Sequence, residues 1–133
     1  MPPQTPEAQR WLTKADNDRA GAEAAVDRRP PVTDVAAFHC QQSVEKMLKA
    51  FLTDRNEPFE RTHDLIELLA LCARHDPTFD SLRDQVGPLT PYAVRYRYPG
   101  PVDPTEDEVK VALLVVHRVR DFVVDRIGGT AQA

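Results

Sequence analysis

Prolines decide where this chain can be regular. It has twelve, and ten of them fall near its start (Pro2, Pro3, Pro6) or in the gaps between periodic segments (Pro30, Pro31, Pro58, Pro77, Pro99, Pro101, Pro104). Only Pro88 and Pro91 interrupt a periodic stretch. A proline removes a backbone donor and collides with the preceding turn, so helices must lie between these positions. The intervening segments repeat apolar residues at helical spacing, and none alternates with the period of a strand.

The first helix is expected from Pro6 to Asp27, with Thr5 as N-cap and Pro6 at the first helical position. Ala8, Trp11, Leu12, Ala15, Ala22 and Val26 form its apolar stripe. A second helix runs from about Val32 to Asp54, and a short third from about Asp64 to His75. A fourth begins near Thr78, then kinks or breaks at Gly87-Pro88 and Pro91. The last opens on the capping box Thr105-Glu-Asp-Glu108 and stops at Gly128-Gly129. The pattern predicts an all-α fold, an up-and-down antiparallel bundle of four long helices plus one short helix. Residues 1–5 are expected as an N-terminal extension, 6–128 as the bundle and 129–133 as a disordered tail.

Composition narrows the function. With 133 residues, 41% of them hydrophobic and 29% charged, the chain suits one soluble domain. A formal net charge of -4 gives no general field for polyanions, so any nucleic-acid contact must be local. Cys40 and Cys72 lie on apolar helical positions without metal-ligand spacing, as buried thiols in a reducing compartment do. No apolar run is long enough to span a bilayer, and MPPQTPEAQR lacks a signal peptide's hydrophobic stretch. A cytoplasmic protein without membrane contact, metal or cofactor is expected.

Residues 38–52, FHCQQSVEKMLKAFL, are the hardest to read as ordinary packing. His39, Gln42, Lys46 and Thr53 point away from the apolar centre of the second helix. Gln41 and Glu45 share a flank with Phe38, Leu48 and Leu52, so their polar ends sit at a packed boundary. An unpaired carboxylate there costs several kcal/mol. The local partner, Lys49 at i,i+4, is worth only about 0.3–0.5 kcal/mol on a helix surface. Arg120 falls in the inward stripe of the last helix and Arg97 in the segment YAVRYRYPG, and both need an acid. A structural network of Gln41, Glu45, Arg97 and Arg120 is therefore expected to join the second, fourth and last helices. The arginines and tyrosines of YAVRYRYPG suit base stacking and phosphate pairing, or equally a plug at the bundle's end. The last helix is apolar on a second flank as well (Val111, Val115, Phe122), which calls for another helix or a second subunit as cover.

Trp11-Leu12-x-x-Ala15-x-x-Asp18, then Phe38 to Ala50, then Thr62-His63-Asp64-Leu65 and Arg97-Tyr98-Pro99 follow one another in order. Over about residues 8–127 this succession resembles the HEPN domain (higher eukaryotes and prokaryotes nucleotide-binding). The resemblance implies a helical bundle, commonly a homodimer, often paired with a minimal nucleotidyltransferase in a toxin–antitoxin-like system. Many HEPN proteins are ribonucleases with an arginine followed four to six residues later by a histidine. Here His39, His63, His75 and His117 all lack an arginine at that spacing. The expected function is accordingly a non-catalytic module that binds a nucleotide, an RNA or a partner protein through Lys46, Lys49, His63, Arg95, Arg97 and Tyr98. The alternatives are an RNase toxin with a non-standard site built on Arg97 and His63, and a structural dimerisation module.

Overall fold

The computed structural model describes residues 5–95 and 102–128. Helix α1 spans Pro6–Asp27, α2 Thr33–Asp54, α3 Leu65–His75 and α6 Glu106–Arg126. Between α3 and α6 lie a 3-10 segment Pro77–Leu82, α4 at Arg83–Val86, a 3-10 turn Gly87–Leu89 and α5 at Tyr92–Arg95. The fold is all-α, and the break expected at Gly87-Pro88 and Pro91 takes the form of this run of short pieces. Arg97, Tyr98 and the expected tail at 129–133 lie outside the described residues, as does the side chain of Arg95.

The helix ends follow local chemistry. The Thr5 hydroxyl accepts from the Ala8 amide at 3.0 Å, and Thr105 and Glu108 exchange the two bonds of a capping box. Asp64 caps α3 by accepting from the Ile66 and Glu67 amides. Helix α2 ends on Asn56, whose φ of 58° is left-handed. The Glu57 amide reaches back to the Leu52 carbonyl at 2.8 Å and that of Asn56 to Thr53. This is a Schellman ending with asparagine in place of glycine, and it turns the chain back toward α3.

The closest helix pair is α1 against α2. Ala8, Ala15 and Ala22 recur every seventh residue of α1, and Ala36, Ser43 and Ala50 recur every seventh residue of α2. All six are fully buried. The Ser43 hydroxyl donates to the Ala15 carbonyl at 2.8 Å. An antiparallel register fixed at that point sets Ala36 opposite Ala22 and Ala50 opposite Ala8. Without bulk in the seam, the backbones approach closely enough for side chains on its two edges to meet.

The rest of the core lies on the opposite side of α2. Phe51 and Phe79 meet with ring centroids 4.5 Å apart, and Phe79 meets Phe122 of α6 at 4.9 Å. Val115 and Phe122, part of the second apolar flank expected on the last helix, thus pack into the core of the same chain. Val111 remains 61% exposed. Arg126 ties the far end together: its guanidinium donates to Asp76 at 2.9 Å and stacks on the Phe122 ring. Replacing Phe79 with Ala is expected to lower the unfolding free energy by about 3–5 kcal/mol in a urea titration, because it opens a void between three elements. Thr13→Ala, on the outer side of α1, is expected to stay within about 0.5 kcal/mol of wild type.

Candidate functional site

The polar flank of α2 carries two clusters. In the first, the nearly buried Glu45 carboxylate accepts from Lys49 Nζ at 2.8 Å on one oxygen. Its other oxygen accepts from Gln41 Nε2 at 3.1 Å and lies 2.9 Å from His63 Nδ1. Gln41, itself fully buried, also donates to the His63 carbonyl at 3.0 Å, so both the ring and the backbone of His63 are fixed. The Lys49 ammonium further lies 5.5 Å from the Trp11 ring centroid and 5.7 Å from that of Phe59. One carboxylate and two ring faces thus meet a single buried cation. Burial pushes the Glu45 carboxyl up, but the hydrogen bonds from Lys49 and His63 outweigh it and hold the group below the ordinary carboxylate range.

The second cluster sits across the α1 seam. Asp18 takes Lys46 Nζ at 2.5 Å on one oxygen and lies 2.9 Å from His39 Nδ1 on the other. The His39 ring lies close to Gly21, where an added Cβ would stand 3.4 Å from it. His39, Gln42 and Lys46 follow one another at turn spacing on the outer strip of α2. Gln42 also donates to Gln41 at 2.6 Å, on the side of the first cluster. Two imidazoles, each anchored at Nδ1 on a shielded carboxylate, therefore border one strip. The Nε2 edge of His39 rests beside Gly21 of α1, whereas His63, with a side chain 54% exposed, has the geometry of an oriented hydrogen-bonding group or proton carrier.

The expected joining of Glu45 to Arg120 does not occur. Arg120 instead makes a two-pronged pair with Asp16 of α1, Nε to Oδ1 at 2.7 Å and Nη2 to Oδ2 at 3.1 Å. Its hydrogen bonds hold the Asp16 carboxyl below the ordinary range and raise the guanidinium's own value. The reason is register: α6 packs against α1 as well as α2, so its inward arginine meets α1's acid while Glu45 is saturated locally by Lys49 and His63. Of the expected binding residues, His63 and Lys49 come together, Lys46 pairs with Asp18 across the seam, and Arg97 and Tyr98 fall outside the described residues. Asp18 entered the sequence reading only as part of the motif that begins at Trp11, with no binding or network role. Its signal was present, since it stands at turn spacing within the stripe Trp11, Ala15, Ala22, where an acid must have a partner.

Glu45→Gln is expected to lower stability by about 3 kcal/mol and the melting temperature by several degrees, because Lys49 stays buried without its counter-charge. The folded Glu45 carboxyl titrates below its ordinary value of 4.5, so its contribution is complete above that pH and lost as pH falls through the folded value. The variant should therefore lose less stability than wild type on acidification, as thermal melts across the acid range will show. Combined with Arg120→Met, the effects should add within about 0.5 kcal/mol, since the two networks share no partner.

The geometry can be set beside known proteins. The crystal structure of TT1696 from Thermus thermophilus superposes with a TM-score of 0.77 at 24% identity, covering 92% of this chain and 100% of that one. At that identity the likeness establishes the fold. A search of curated protein sequences gave no match. The family model for the HEPN domain matches residues 8–127, nearly the whole chain, and the protein belongs to the HEPN domain family.

Proposed function

We propose that this HEPN domain works by binding rather than by cleaving RNA, as a cytoplasmic homodimer whose ligand is a nucleotide or an RNA end. A minimal nucleotidyltransferase is the partner with which it forms a toxin–antitoxin-like pair. One observation carries the reading: His39 and His63, each anchored on a shielded carboxylate, flank the half-buried Gln42 and Lys46 on one strip of α2. Such a strip offers fixed donors and acceptors to a base edge or phosphate, while its cations are balanced by Asp18 and Glu45. Arg97 and Tyr98 enter the proposal as further contacts on the chemistry of their side chains alone, an arginine for phosphate and a tyrosine for base stacking. In support, the arginine-to-histidine spacing of HEPN ribonucleases is absent from the sequence.

A second reading has its own support. The Glu45–His63 pair has the arrangement of an oriented base, with the His63 side chain 54% exposed, so an RNase with a non-standard site would use His63 Nε2 for proton transfer.

Calorimetric titration with ATP, GTP and a short 5′-phosphorylated RNA separates the two. Binding should be measurable, and both His63→Ala and Arg97→Ala should weaken it by about ten-fold, the equivalent of one charge-assisted contact. Total RNA should survive incubation with the purified protein. No heat at millimolar ligand removes the nucleotide reading, and cleavage that disappears in His63→Ala installs the ribonuclease in its place. Light scattering at several concentrations reports on the dimer.

A further inference from the structure

A different face of the molecule carries an unassigned surface. Between α6 and the short pieces that precede α5 runs a trough of about 490 Å³. Val111, Ala112 and Val115 form one wall, and Pro88, Leu89 and Tyr92 form the other. Its polar lining includes Asp84, Asp107 and Glu108, with no lysine, arginine or histidine among the described residues. Val111 at the trough is 61% exposed, and Leu114, one turn along α6, is 70% exposed. Val94 on α5 and Val102 just before α6 are also exposed. Within the trough itself the exposed Val111 lies beside the buried Leu89, Ala112 and Val115, and an apolar floor with an acidic edge marks a contact surface.

We propose that this trough docks an amphipathic, basic helix of another protein, with aliphatic anchors between Pro88-Leu89 and Val111-Val115 and lysines or arginines against Asp84 and Asp107. Three features select that occupant. Both walls are built from helical turns whose backbone bonds are internal, so an incoming strand finds no edge to pair with, whereas a helix satisfies its own backbone. The acids repel phosphates, which removes nucleic acid as the ligand here. In a two-fold contact with a second copy both linings would bring acids and neither a base among the described residues, so that contact would lack the counter-charge a basic helix supplies. Glu108 is already engaged in the α6 capping box, which leaves Asp84 and Asp107 as the charges that choose the partner.

The probes are two fluorescent helix-forming peptides of the same leucine pattern, one flanked by arginines and one by glutamates, titrated into the full chain and read by anisotropy. The arginine peptide should bind, more weakly as salt rises, while the glutamate peptide should not. Asp107→Lys should weaken binding by about ten-fold, and Val111→Asp should abolish it while melting like wild type, since Val111 lines the trough and is 61% exposed. Equal binding of both peptides, binding of neither, or full affinity in Val111→Asp would overturn the proposal. So would a fall in light-scattering mass from dimer to monomer in Val111→Asp, which would give the trough to a second copy. ATP titration of the same variants is expected to be unchanged, so the outcome is independent of the strip on α2.

Discussion

The architecture depends on the absence of side-chain bulk between α1 and α2. Alanines at positions 8, 15 and 22 face Ala36, Ser43 and Ala50, with one hydroxyl bonded to a backbone carbonyl at the middle of the seam. Small residues let two backbones approach, and close approach fixes register, because every larger group on the flanks must then fit one arrangement. Everything polar on α2 follows from that. Asp18 is held where it meets Lys46 and His39, and Trp11 where its ring faces the Lys49 ammonium. With larger residues in the seam these groups would move apart, and α2 would carry unpaired charge at a packed boundary.

The charged groups are consequently distributed in local sets. Each cation of the α2 flank has an acid within hydrogen-bond reach, and the arginine expected to join the bundle's far helices serves a third acid on α1. Buried pairs of this kind add little net stability compared with apolar packing, but removing one member is costly, so they fix geometry more than they add energy. What they fix is the orientation of two imidazoles beside a half-buried strip of α2. The cysteines play no part in it: burial pushes the Cys40 thiol up to about 12 and the Cys72 thiol higher still, so both remain protonated packing groups.

Much of the fold was legible in the sequence because helix ends have local chemistry. Thr5 with Pro6, Asp64, and Thr105 with Glu108 each announce a start that the structure realises within a residue or so. The fourth periodic segment was less legible, since Pro77, Pro88 and Pro91 permit many combinations of short turns and only the packing of Phe79, Leu82, Val86 and Leu89 selects one. The polar network was legible in its membership and not in its pairing. A helical wheel shows that Glu45 and Arg120 both need partners, but it treats one helix at a time. Asp16, Asp18, Lys49 and His63 were all available, and the choice among them is set by the α1–α2 register and by the Asn56 turn that returns the chain to α2. The Ala36, Ser43, Ala50 repeat that sets this register was visible as spacing, yet it is not hydrophobic enough to stand out in an apolar pattern. The second apolar flank of α6 called for another helix or a second subunit as cover, and residues 77–92 of the same chain supply it for Val115 and Phe122 while Val111 stays exposed.

The seam is tested most directly by the urea-unfolding free energy of the Ala15→Leu protein. Leucine at the point where Ser43 bonds the Ala15 carbonyl should force α1 and α2 apart and lower stability by at least about 1–3 kcal/mol, the range for overpacking a tight contact. An unfolding curve that superimposes on that of the wild type would contradict the account, because a site able to accept a leucine without loss is not a close-packed seam.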